Sequence, residues 1–274
     1  HYAQHAKIKR LICLSKHHTD NNSKLRAAHL AHSLLLSTSN THLYDKLIDA
    51  AKIKRDETWL EQTAKNAARQ LEALEQSLNT HKTSLVKENI RLAHNDLGHF
   101  YRERGDYVSA VKCYARTRDY CATSKHSVDM CLNAIQALVD MDNYTQVLSY
   151  LGKAEMLPDA VDDPLVVAQL RAASGLAHLD ARKYRLAALK FVDIPLDVGN
   201  EPIAAMLSQE DVAAYGALCA LASMTRAELQ QHVIGNASFC ALLELHPQIR
   251  ELITNFHASR YSVCLSIMSK LKPL

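Results

Sequence analysis

Between Thr58 and Leu78 the apolar positions advance in alternating steps of four and three: Leu60, Ala64, Ala67, Leu71, Leu74 and Leu78. That period puts them on one stripe of an α-helix. Leu85 and Leu92 continue the stripe, and the stretch from Thr58 to Arg104 holds no proline and Gly98 as its single glycine. The pattern therefore predicts one long helix over 58–104, a stiff spacer that leaves an N-terminal helical segment at 1–57. Within that segment, shorter stripes (Ile8, Leu11, Ile12; Leu30, Leu34, Leu35; Leu43, Leu47, Ile48) alternate with polar runs such as Thr19-Asp20-Asn21-Asn22-Ser23, which read as loops. No alternating β-branched run of strand length separates the helical segments, so the chain reads as all-α.

A longer period lies over this one. His94-x-x-Leu97-Gly98-x-x-Tyr101, a polar turn ending in Gly105-Asp106-Tyr107, and then Ala110-x-x-x-Tyr114 have the spacing of a tetratricopeptide helical hairpin. Aromatic residues placed to open a second helix, Tyr107, Tyr144, Tyr184 and Tyr261, lie 37, 40 and 77 residues apart, the last gap being about two repeats. Nine residues before each stands Gly98, Ile135, Gly175 or Leu252, and three residues after each stands Ala110, Val147, Ala187 or Cys264. Small side chains at these places let paired helices approach, with Tyr114, Leu151, Phe191 and Met268 expected to fill the space beyond. A fifth, less regular unit fits Val212–Leu245, where Thr225-x-x-Glu228 reads as a capping box and Pro247 suits the first turn of the next helix. Each hairpin buries its apolar face only against its neighbours, which predicts a TPR-like helical-repeat solenoid over 83–210 and a further helical part over 211–274. Two connectors, Leu157–Pro164 and Val192–Glu210 with Pro195, Gly199 and Pro202, are expected to be exposed and mobile.

Composition narrows the function more than the fold. The chain has 274 residues, 48% of them hydrophobic, with seven glycines and six prolines, enough for a large core and in keeping with helix throughout. It contains no uninterrupted apolar run of about 18 residues and no secretory leader pattern, so a soluble, intracellular protein without membrane contact is expected. It starts at His1 without a methionine and ends in Lys270-Leu271-Lys272-Pro273-Leu274, and reads as trimmed. Seven cysteines, with no Cys-x-x-Cys pair, point to reduced core residues and not to a disulfide framework. Residues 1–82 carry 13 Lys and Arg against 8 Asp and Glu, whereas the remainder sums to −2. Lys7, Lys9, Arg10, Lys52, Lys54 and Arg55 are thus candidate contacts for an acidic partner. Their scatter, without interleaved aromatics, makes nucleic acid the poorer fit and a solvated helix face the plain alternative. Arg116 and Arg118, near a helix C-terminus where cations are favoured, join the list; Asp129 or another subunit would supply the carboxylate for Arg118.

Reaction chemistry finds little footing. His29-x-x-His32 and His1 with His5 each share a helical face but lack a carboxylate or cysteine to complete a tetrahedral zinc site. His-Glu-x-x-His and glycine-rich phosphate loops are absent. Ser208, Ser238 and Cys240 have no adjacent base, and Asp162-Asp163, flanked by prolines, read as loop-solvating acids. No cofactor, no metal and no enzymatic role are expected.

Several strings carry a family likeness: Arg116-Thr117-Arg118-Asp119-Tyr120-Cys121, Met130-Cys131-Leu132-Asn133, Leu148-Ser149-Tyr150-x-x-Lys153-Ala154-Glu155, Ala173-x-Gly175-Leu176-Ala177, Tyr215-Gly216-x-Leu218-Cys219-Ala220-Leu221-Ala222 and Glu244-Leu245-x-Pro247-Gln248-x-Arg250. In this order, from about Thr83 to Lys272, the chain resembles the PCI-domain family of COP9 signalosome subunit 1, whose paralogue in the proteasome lid shares the architecture. The resemblance implies a right-handed repeat arm leading into a PCI domain, within a complex that removes the modifier NEDD8 from cullins at an isopeptidase centre on another subunit. It implies a non-catalytic scaffold, with other signalosome subunits and cullin-RING ligase components as partners, in nucleus and cytoplasm. Relatives continue into a winged helix, and nothing after Tyr261 supplies its strands. A proteasome-lid scaffold and a nucleic-acid-binding adaptor are the alternative readings.

Overall fold

The computed structural model describes residues 4–18, 20–51, 54–195 and 203–271, and all regular structure among them is helical. The chain forms two compact units, Gln4–Asp142 with Lys153–Asp159, and Asn143–Gly152 with Ala160–Leu274.

The first unit begins with α1 (Gln4–His17), α2 (Asn21–Leu36) and α3 (Thr41–Ala51). The polar run expected to be a loop instead opens α2: the Asp20 carboxylate accepts the backbone N–H groups of Asn22 and Ser23, which lack partners in a first turn. Thr19 lies outside the described residues. Ile8, Ala28, Ala31, Leu35, Leu43, Tyr44 and Leu47 form a common core. Leu30, assigned to the stripe, is 44% exposed. The next helix, α4 (Glu57–Ser84), is aligned at its start by Trp59, whose ring lies 4.7 Å from that of Tyr44.

The long helix expected over 58–104 is two helices. Residue Leu85 takes φ 57° and ends α4, and α5 (Lys87–Arg104) runs back along it. Leu71, Leu74 and Leu78 of α4 share a cluster with Ile90, Ala93, Leu97 and Tyr101 of α5. A left-handed non-glycine residue costs about 1–2 kcal/mol, whereas each well-buried leucine returns about 1.5–3 kcal/mol, so folding the stripe upon itself wins. The continuation residues are not core: Leu85 is 80% and Leu92 45% exposed.

The four predicted second helices start where the tyrosines place them: α6 (Tyr107–Thr117), α8 (Tyr144–Glu155), α11 (Tyr184–Val192) and α16 (Tyr261–Leu271). Between α6 and α8 lie a 3₁₀ turn, Arg118–Tyr120, and α7 (Ser124–Asp140). Ala110, Val147 and Ala187 are fully buried and Cys264 is 4% exposed. The close approach at Gly98 is literal, because a Cβ there would stand 2.4 Å from Cε1 of Tyr114, and one at Gly175 would stand 2.5 Å from Cε1 of Phe191. Leu97 is buried beside Gly98, whereas Tyr101 is half-buried on the α4 side. The tyrosines differ in environment: Tyr107 is 5% exposed, Tyr184 43% and Tyr261 49%. Met268 does not fill the space beyond α16; it is 49% exposed, and Ile267, one position earlier, takes the buried place.

One regularity escaped sequence reading. Two residues before each tyrosine the backbone is left-handed, at Gly105, Asp142, Arg182 and Ser259. In three of these turns the following N–H closes the preceding helix: Asp106 to Tyr101 O, Lys183 to His178 O and Arg260 to Asn255 O, each at 2.9 Å. Gly105 alone carries the residue type that normally marks this position.

The second unit contains most of α8, then α9 (Asp159–Asp162), α10 (Pro164–Asp180), α11, α12 (Gln209–Ser223), α13 (Arg226–Glu228) running into a π-helical turn at Leu229–Ile234, α14 (Ala237–Leu243), α15 (Pro247–His257) and α16. Parts of both connectors are buried, against the expectation of exposure. Ala160 in the first is 2% exposed, and Ile203 and Leu207 at the end of the second are 1% and 4% exposed, drawn into the Phe191 core by their apolar side chains; Gly199 and Pro202 lie outside the described residues. Thr225 and Glu228 make the capping box, each side chain reaching the other's backbone N–H, and Pro247 occupies the first turn of α15.

Candidate functional site

The first unit is held by a polar tie at the C-terminal end of α7. Asp140 is 5% exposed, in a place where the helix dipole disfavours a carboxylate. Arg102 of α5 offsets this, donating from Nε to Asp140 Oδ2 at 2.8 Å and from a terminal nitrogen to Gln136 Oε1 at 2.8 Å. From α1, Lys9 donates to Asp140 O at 2.8 Å and to Asp142 Oδ1 at 3.2 Å, and His5 lies 2.9 Å from the Tyr107 hydroxyl. Burial lowers the pKa of His5 despite the nearby carboxylate and raises that of Tyr107. A neutral imidazole and an un-ionised phenol suit structural hydrogen bonding; the cluster joins α1 to the repeat helices.

That tie changes the standing of the predicted basic contacts. Lys9 is engaged within the chain, and Arg55 pairs with Asp45 at 2.8 Å. Lys7, Lys54 and Arg116 are exposed, as is Arg10, which has an interaction within the protein. Lys52 lies outside the described residues. Arg118 meets its neighbour Asp119 at 3.3 Å, not Asp129. The charged run that includes it ends in the 3₁₀ turn, where Tyr120 stacks on His94 with ring centroids 6.0 Å apart. Among these candidates the structure therefore engages Lys9, Arg55 and Arg118 with carboxylates of the same chain.

Among the described residues no group of three His, Cys, Asp or Glu side chains is placed to hold a metal, and no helix is long and apolar enough to cross a membrane. His29 and His32 share a helix, but His32 faces the Tyr44 ring. Cys113, Cys131, Cys219 and Cys264 are buried, Cys121 and Cys240 are half-buried, and Cys13, against the expectation for core residues, is exposed. Burial pushes the Cys113, Cys131 and Cys219 thiols up, away from the reactive thiolate.

What sequence reading missed is a groove in the first unit. It has a volume of about 640 Å³ and lies between α4 and the loop joining α2 to α3, with His5 and Glu103 also on its rim. Gln62, Asn66 and Gln70 line one side at four-residue spacing. The signal was present in the sequence, but polar residues on the outer face of an amphipathic helix are ordinarily no more than its solvated side.

The helical architecture is consistent with comparisons to known proteins. The profile of the family described as 26S proteasome subunit RPN7 matches residues 56–232. The chain belongs to this family. Curated relatives of the RPN7-like chain include COP9 signalosome complex subunit 1 of Arabidopsis thaliana, 41% identical over 99% of this chain and 63% of the relative. COP9 signalosome complex subunit 1b of Drosophila melanogaster is 40% identical over 79% of the chain and 42% of the relative. The Emericella nidulans subunit 1 is 36% identical over 78% and 43%. The chain thus spans roughly half of the length of these RPN7-family relatives. The likeness read from the strings between Arg116 and Arg250 is the one these relatives carry, and the all-α repeat architecture agrees with it.

Proposed function

We propose that the chain is a non-catalytic scaffold arm of a COP9 signalosome, acting by protein contacts within the complex that removes NEDD8 from cullin-RING ligases. The observation that carries this is the 36–41% identity to signalosome subunit 1 over most of the chain, together with repeats whose faces are fixed by backbone-close packing. Partners are other signalosome subunits and cullin-RING components, met in nucleus and cytoplasm. The exposed cations Lys7, Lys54 and Arg116 contribute to those contacts, whereas Lys9 serves the fold.

Co-expression of the full-length protein with the other signalosome subunits tests the reading. Capture of those subunits and of a neddylated cullin complex supports it, and reduced capture by the Lys7→Glu, Lys54→Glu, Arg116→Glu variant assigns part of the contact to these cations. Undiminished capture removes them from the proposal. Deleting residues 1–82 is a poor test, because it removes α1 and with it Lys9 and His5 from the Asp140 tie. The family description favours one second reading, a proteasome-lid scaffold, which co-purification with the proteasome lid in place of signalosome subunits would establish.

A further inference from the structure

The groove beside α4 has a chemistry that specifies its occupant. Gln62, Asn66 and Gln70 are exposed, have no hydrogen-bond partner among the described residues, and line the same wall. Positions four apart on a helix rise by about 6 Å, and two residues of an extended chain advance by about 6.6 Å. Three amides so spaced therefore meet successive outward-facing peptide groups of a strand, each offering a donor and an acceptor to a backbone that needs both. Ile8 and Ala67, 1% and 2% exposed, close the floor, and Trp59 stands at one end.

Charge gives the polarity. Glu103 lies toward the Gln70 end, since Leu71 and Leu74 pack with Tyr101 of the same helix as Glu103. It is exposed, and among the described residues it has no ion-pair partner and no lysine or arginine lines the groove. A phosphate backbone would find no counter-charge there, whereas a basic side chain would find one.

We propose that this groove binds an extended polypeptide segment, its backbone held by Gln62, Asn66 and Gln70 and a lysine or arginine side chain placed against Glu103. The proposal rests on the groove alone and is independent of which complex the protein enters.

The test uses the whole 274-residue chain and fluorescein-labelled octapeptides of alternating serine and alanine with one lysine scanned along them. Fluorescence anisotropy is expected to show saturable binding in one lysine register. Binding should weaken about tenfold when the peptide is N-methylated at alternate residues or when Asn66→Ala and Gln70→Ala are combined, as the loss of two backbone hydrogen bonds requires. Both substitutions favour helix, and a circular dichroism melt no lower than the parent's verifies folding. Glu103→Gln should abolish the preference for lysine over glutamate in the peptide. Absence of saturable binding at millimolar peptide, equal binding by the amide variant, or displacement of the peptide by an oligouridylate would each overturn the proposal.

Discussion

Replacing Gly98 by alanine isolates the contact on which the clearest hairpin depends. The added methyl would lie 2.4, 2.7 and 2.9 Å from Cε1, Cδ1 and Cζ of Tyr114. That ring cannot swing aside freely, because Tyr114 is fully buried and its hydroxyl is bonded to His99 Nδ1 at 3.0 Å. Two effects oppose each other. Alanine in place of glycine inside a helix contributes about 1 kcal/mol of stability, and overpacking a closed core costs about 1–3 kcal/mol. With three ring atoms inside 3.0 Å the cost falls at the upper end, for a net loss of about 1–2 kcal/mol. Gly152 provides the control, since a Cβ there meets nothing within 4 Å, and Gly152→Ala should stabilise by about 0.5–1 kcal/mol. Urea unfolding followed by helical circular dichroism measures both. In a Tyr114→Ala background, where the ring is gone, Gly98→Ala should turn from destabilising to stabilising. A raised midpoint for Gly98→Ala in the parent, or an unchanged penalty without the ring, refutes the close-approach argument.

Asp140→Ala leaves Arg102 without its carboxylate partner, while Lys9 keeps the residue-140 carbonyl and Asp142, and should lower stability by about 3 kcal/mol, as breaking a buried pair does, read in the same urea titration. Arg182→Gly relieves a φ of 57° and should raise stability by about 0.5–1 kcal/mol, with no change in helix content. Burial lowers the pKa of His5, His94 and His99 below 6.5, so the unfolded chain binds protons first. Their stability is complete above about pH 6.5 and is lost as pH falls; His94→Asn should flatten that acid loss in thermal melts between pH 7 and 5. Burial raises Asp211 from 3.8 to about 6, giving the opposite sign: its contribution is present below pH 3.8 and lost as pH rises through about 6. Asp211→Asn should therefore gain on the wild type as pH is raised from 4 to 7, and equal melting differences at both ends would refute the assignment.

Much of the architecture was legible because helical periodicity and cap chemistry are local. The tyrosines at 107, 144, 184 and 261 each open a helix, and the Thr225 capping box and Pro247 act where their chemistry says they must. These features depend on residues within one or two turns of each other, which is the range over which sequence order is also spatial order.

The break at Leu85 was not legible, nor were the left-handed turns at Asp142, Arg182 and Ser259. No glycine or proline marks them, and each is imposed by apolar surface that can be buried only if the chain reverses. Met268 and Ile267 exchanged roles for a similar reason, since one position on a helix is a rotation of about 100° and the neighbouring helix decides which side is covered. The basic N-terminal residues show the same division. Charge bias was read from composition, but Lys9 became part of the fold only because tertiary packing set it beside Asp140, 131 residues away in sequence. The amides of α4 became a groove wall only because α1 and the α2–α3 loop stand opposite them. By itself the sequence determined which segments are helical and where many begin. The tertiary structure decided which faces meet, because burial depends on neighbours that lie far away along the chain.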